Sequence, residues 1–153
     1  MKVSTIIMAA GQGTRMISDL PKVLHPVNGK PMILYAIQAA KEAGSEKPVV
    51  VIGNGAEEVK QTIGGDAFFV LQEQRLGTAH AVMSAEKALA GEDGLALITA
   101  GDMPLLTAAT LKRLIEKQTS NPGPLTMLTV HSGNPRGFGR VLRGMNGEVR
   151  AIV

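Results

Sequence analysis

Residues 3–15, VSTIIMAAGQGTR, set eight small or apolar residues directly before a turn with two glycines and an arginine. Such a run predicts a strand buried on both faces, and glycines at its carboxyl end let backbone N–H groups approach a ligand. Neither common phosphate-loop spelling fits. A dinucleotide fingerprint needs a third glycine at position 16, where Met16 stands, and the Gly-Lys-Ser/Thr of a P-loop is absent. What remains is a turn in which Gly11 and Gly13 bare the backbone, followed by Thr14 and Arg15. The Arg15 guanidinium can hold two phosphate oxygens at once. A tight strand-to-helix turn with a surface arginine would be spelled the same way.

Outward from this stretch, apolar runs alternate with helical patterns. Residues 30–44, KPMILYAIQAAKEAG, put Met32, Ile33, Ala36, Ile37 and Ala40 on one helical face and stop at Gly44. PVVVIG (48–53), AFFVLQ (67–72), LALITAGD (95–102) and LTMLTV (125–130) read as further strands. AEEVKQTIGG (56–65) and GTAHAVMSAEKALAG (77–91) read as helices, and Thr107 is placed to cap another that carries Leu111, Leu114 and Ile115. Near the end, Asn146-Gly147 between two short extended runs predicts a hairpin. Strand–helix units of about 25 residues predict an α/β domain whose parallel sheet is covered on both faces. Ligands of such sheets bind beyond the carboxyl ends of the strands. AAGQG and AGDMP both fall at such ends.

Composition narrows the partners. The chain has 153 residues, 44% hydrophobic and 3% aromatic, so one domain with an aliphatic core is expected and base-stacking platforms are scarce. A net charge of +3 without a basic block does not signal nucleic acid, and a small acidic ligand accounts for it as well. Without cysteine there is no disulfide or thiolate metal site, which fits a cytoplasmic protein. Residues 3–10 are too few for a signal peptide or a membrane span.

Several side chains can carry chemistry. Pro21 and Pro26 keep DLPKVLHPVNGKP out of a helix, leaving Lys22 free to place a point charge on a phosphate or simply to face solvent. Asp102, just past a buried strand, suits Mg²⁺ held partly by substrate phosphates, or starts a turn ahead of Pro104. The Gln72 amide both donates and accepts, which suits the imide edge of a pyrimidine. Gly77 and Thr78 open a helix with unpaired N–H groups. His25, His80 and His131 share no metal spacing and read as structural.

In this order, MAAGQGTRM, LPKVLHPVNGKPM, VLQEQRLGTAHA, GDMPLL and RGFGRV resemble the nucleoside-diphosphate-sugar pyrophosphorylases. The chain is most similar to the N-terminal uridylyltransferase domain of the bifunctional N-acetylglucosamine-1-phosphate uridylyltransferase/glucosamine-1-phosphate acetyltransferases. The resemblance implies a Rossmann-like, doubly wound, mostly parallel sheet of the nucleotide-diphospho-sugar transferase fold. It implies transfer of UMP from UTP to N-acetylglucosamine-1-phosphate in the cytoplasm, with Mg²⁺ as cofactor. It sets Ala9, Ala10 and Gly11 against the uridine, with Gly13 and Thr14 in the same nucleotide-binding turn, and Gln72, Gly77 and Thr78 on the uracil. Arg15 and Lys22 fall on the triphosphate, Asp102 on the metal, and Gly139 on the sugar phosphate.

Two departures from the family pattern stand out. Ala100 occupies the position before Gly101-Asp102 where the family usually has a tyrosine. The family's later sugar-site residues, and the β-helix that builds its homotrimer, follow positions beyond Val153. Residues 1–153 are therefore expected to be the UTP-binding half of a C-terminally incomplete domain, with little turnover alone. A nucleotidyltransferase for another base or sugar phosphate and a non-catalytic nucleotide-binding module stay open as alternatives.

Overall fold

The structure is a computed structural model describing residues 1–74 and 76–153. Strand β1 (Lys2–Met8) lies inside a four-stranded parallel sheet with β4 (Val49–Ile52), β5 (Phe68–Leu71) and β6 (Gly94–Ala100), in the order β5-β4-β1-β6. A two-residue ladder, β2 (Pro26–Val27) with β3 (Lys30–Pro31), interrupts the path from β1 to helix α1 (Met32–Glu42). Helix α2 (Ala56–Ile63) joins β4 to β5, α3 (Thr78–Ser84) leads towards β6, and α4 (Ala108–Ser120) follows it. A separate hairpin, β7 (Val141–Arg143) with β8 (Val149–Ile152), ends the chain.

Side-chain alternation decides which helix covers which face. Ile7, Val50 and Ile52 meet Ile33, Ala36, Ile37 and Ala40 of α1 and Val59 and Ile63 of α2. Ile6, Val49 and Val51 point the other way, onto Ala81 and Ala85 of the α3 segment. Leu111 of α4 closes a third cluster with Leu97, with Ala39 of α1 and with Ala43 at its C-terminal cap. Small residues facing the sheet let the helices sit close in a core almost free of aromatics. Coverage is uneven, however. Ile98 shares the α3 face by register with Ile6, yet remains 44% exposed.

The sheet changes direction at β1. The chain runs from β1 out to β4 and β5, then crosses to β6 on the other side of β1. Loops leaving adjacent strands in opposite directions open a crevice at their carboxyl ends, the general position for ligands in such sheets.

Two expectations fail. Residues 125–130 form no strand: β6 pairs with β1 alone among the described strands, and Leu125 and Val130 are 72% and 78% exposed. A β-rich spelling makes a strand only where an edge receives it. Residues 77–91 do not form one continuous helix. Ser84 Oγ donates to the His80 carbonyl at 2.8 Å, a back-bond that bends helices, and a 3₁₀ turn over Glu86–Leu89 follows. The Thr107 cap forms as expected, its Oγ1 accepting from the Thr110 N–H at 3.3 Å. So does the 146–147 hairpin, with Gly147 at φ 82. Away from the crevice, the Lys41 ammonium donates to Asp66 at 2.5 Å and holds that carboxyl below the usual aspartate range.

Candidate nucleotide site

A cleft of about 850 Å³ opens at the carboxyl ends of β1 and β6. Backbone ties set its walls. The Gly101 N–H donates to Met8 O at 2.9 Å, the Ala9 N–H to Val51 O at 2.8 Å, and the Gln72 N–H to Ile52 O at 2.8 Å. The chain exits of β6, β1, β4 and β5 therefore line one edge of the sheet in that order.

Of the twelve residues singled out in the sequence, eleven line this cleft: Ala9, Ala10, Gly11, Gly13, Thr14, Arg15, Lys22, Gln72, Gly77, Thr78 and Asp102. Gly139 does not. It lies against the hairpin, where an added Cβ would come within 3.0 Å of Ile152 Cγ2. Gln12, Met16, Ala81 and Ala100 also line the cleft, and none had been singled out as a ligand. Their signal was position rather than chemistry: Gln12 and Met16 adjoin residues that were, and Ala100 and Ala81 lie two and three positions from Asp102 and Thr78.

The first loop is backbone-rich by design of its side chains. Ala9 and Ala10 bury their methyls in opposite core clusters, so only their peptide groups face the cleft. Beside Gly11 a Cβ would meet nothing within 4 Å, which leaves open space along the chain. Gly13 is different: its φ is 62, and a Cβ there would come within 2.6 Å of Lys22 Cβ. The missing side chain is what lets the Lys22 segment fold back over the turn.

Lys22 starts a 3₁₀ turn whose next two residues, Val23 and Leu24, are buried in the main core. They pin the stem of Lys22 while its ammonium pairs with the Asp102 carboxylate. Arg15 is exposed at the rim and, among the described residues, pairs with no carboxylate. The cleft thus offers one partnered cation, one unpartnered cation and one carboxylate.

Asp102 stands apart from any protein cage, because no group of three metal-ligating side chains occurs among the described residues. A single carboxylate at the cleft, paired with Lys22 through one oxygen, fits a hard cation that takes its remaining ligands from phosphate oxygens and water. Opposite, Gln72 is 6% exposed, and its Nε2 lies 3.0 Å from His80 Nδ1 and 3.3 Å from the Gly77 carbonyl. His80 had read as merely structural; its contact with Gln72 crosses a loop that no residue spacing spells out.

Solved structures share this architecture. A nucleotidyl transferase from Methanothermobacter thermautotroptrophicus is 30% identical, with a TM-score of 0.65 over 75% of this chain and 57% of that one. A UDP-glucose pyrophosphorylase complexed with UDP-glucose is 25% identical, with a TM-score of 0.62 over 78% and 54%. Among curated proteins, the bifunctional protein GlmU of Syntrophomonas wolfei is 51% identical over all of this chain and 34% of its own length. That of Bacillus subtilis is 45% identical over 97% of this chain and 32% of its own. The chain therefore spans about one third of the length of these relatives. The model of the MobA-like NTP transferase domain matches residues 5–144, which takes in all of the parallel sheet except the first three residues of β1 and every residue lining the cleft, and the chain belongs to that family.

Proposed function

We propose that the cleft binds UTP and serves transfer of its uridylyl group to N-acetylglucosamine-1-phosphate, giving UDP-N-acetylglucosamine and pyrophosphate. The observation that carries this reading is the convergence in one cleft of a backbone-lined turn, an amide on β5's exit and the Arg15–Lys22–Asp102 charge set. The GlmU relatives and the UDP-glucose-bound pyrophosphorylase support it.

Chemically, the nucleophile needs no activation. A sugar phosphate is already an oxyanion, so its oxygen attacks the α-phosphorus in line while the bond to the bridging oxygen breaks and pyrophosphate leaves with the electron pair. No proton is transferred in that step, and no general base is required. The protein aligns two polyanions and offsets the charge that builds on the phosphoryl oxygens. Peptide groups from Ala9 to Gly11, with Gln72, Gly77 and Thr78, hold the nucleoside. Arg15 and Lys22 take the triphosphate, and Gly139, outside the cleft and against the hairpin, is assigned to the sugar phosphate by the family resemblance. Asp102 would hold Mg²⁺, which when bound supplies Lewis-acid stabilisation of phosphoryl charge.

Calorimetric titration of the purified chain with UTP, CTP, GTP and ATP in the presence of Mg²⁺ tests the reading. UTP should bind tightest, and Arg15→Ala should weaken UTP by about tenfold or more while barely moving uridine, because a charge-assisted contact is lost. Equal binding of all four nucleotides, or equal losses for UTP and uridine, would overturn it.

A further inference from the structure

Glutamine is an ambidextrous reader. Rotation of its amide by half a turn exchanges a donor for an acceptor, so a free Gln72 would accept an N–H or meet a lone pair equally well. The cleft does not leave it free. Gln72 Nε2 lies 3.3 Å from the carbonyl oxygen of Gly77, and a carbonyl can only accept. The atom facing it must therefore be the NH₂ group. Its second hydrogen then points to His80 Nδ1 at 3.0 Å, which must accept and so carries no proton. Both amide hydrogens are used within the protein. Turning the amide over would set its oxygen against the Gly77 carbonyl and lose that bond, and would keep a bond to His80 only with the ring proton moved to Nδ1.

What Gln72 has left is Oε1. Among the described residues nothing donates to it, and Gln72 itself lines the cleft. We infer that His80, with the Gly77 carbonyl, sets base specificity by holding the Gln72 amide so that only an acceptor faces the nucleotide. Uracil presents an N–H at its N3 and is accepted. Cytosine presents a lone pair at the same position and meets Oε1 acceptor to acceptor. A site that leaves a buried polar group facing the wrong partner discriminates far more strongly than one that lacks a methyl group. His80 is thus a positioning residue: it need not touch the nucleotide, and it acts through Gln72. The helix carrying it starts at Thr78, directly after Gly77, so one short segment supplies both partners of the amide.

The inference rests on the uridylyl reading above, and two measurements separate their fates. The first is made on the unliganded chain: ¹⁵N NMR of the His80 imidazole should give the tautomer protonated on Nε2. A neutral ring protonated on Nδ1 would overturn the inference and leave the uridylyl reading intact. The second compares UTP and CTP binding to wild type, His80→Leu and His80→Asn. The leucine removes the acceptor, whereas the asparagine keeps an oxygen near the place of Nδ1. Wild type should prefer UTP; His80→Leu should lower the UTP-to-CTP affinity ratio about tenfold or more, and His80→Asn should restore most of it. A wild-type chain indifferent to the base overturns the uridylyl reading and this inference together. A leucine variant that weakens both nucleotides equally, or keeps the wild-type ratio, overturns the inference alone.

Discussion

The Lys22 ammonium is paired with the Asp102 carboxylate, and both side chains keep about a third of their surface in solvent (33% and 29%). A pair this wet contributes about 0–1 kcal/mol, so an arriving polyphosphate with its cation can part it. Lys22 and a divalent cation compete for the same carboxylate, and Lys22 and the phosphates attract each other once the pair opens. Replacing Lys22 by methionine therefore has two effects of opposite sign. Mn²⁺ alone should bind up to about fivefold more tightly, since the competing ammonium is gone. UTP should bind about tenfold or more weakly, since a charged donor is lost. Electron paramagnetic resonance of free Mn²⁺ and calorimetry of UTP read the two effects separately, and movement in the same direction would refute the competition. The sequence already marked Lys22 for phosphate and Asp102 for metal. Their pairing was not legible, because it depends on the Gly101–Met8 hydrogen bond that brings the loops after β6 and β1 together.

Within the first loop, the two glycines that look alike in AAGQG do different work. Gly13 serves the fold: its φ of 62 and its nearness to Lys22 Cβ leave no room for a side chain. Gly11 has no neighbour within 4 Å of a would-be Cβ, so its lack of a side chain serves whatever enters the cleft. Gly13→Ala should cost about 1–2 kcal/mol of stability for the left-handed backbone, with more from the contact, as read by urea denaturation. Gly11→Ala should leave the denaturation midpoint nearly unchanged and weaken UTP. The reverse pattern would show that the two roles have been exchanged. This difference could not be read from spacing, which is the same for a strained turn and an open cradle. The regular elements were more legible, since a run such as VVVI is apolar on both faces whatever surrounds it. Residues 125–130 misled for the complementary reason: their spelling is that of a strand, but pairing is supplied by a neighbouring edge rather than by the segment.

For the molecule as a whole, the site and the core are joined at Val23 and Leu24, which belong to the same buried cluster as Ile7, Ile33 and Val50. The parallel sheet and the placing of the cleft at its carboxyl edge followed from strand–helix alternation, because such sheets bind ligands there, whereas the order β5-β4-β1-β6 came only with the structure. Nor was the coupling legible, since KVLHP reads as an irregular loop and nothing in it announces two core residues. If the core holds Lys22 in place, damage near it should reach the ligand and equal damage elsewhere should not. Leu24 and Leu111 are both buried, at 7% and 2% exposure, but Leu111 lies in the separate α4 cluster. Truncating either to alanine should cost about 2–5 kcal/mol in urea unfolding, according to how far each site relaxes. Under conditions where both variants remain folded, Leu24→Ala should weaken UTP by roughly tenfold through misplacement of the lysine, and Leu111→Ala should leave UTP affinity near wild type. Equal losses of affinity in the two variants would mean that UTP senses global stability alone. A loss confined to Leu24→Ala would identify the Lys22–Leu24 turn as the mechanical link between packing and phosphate binding.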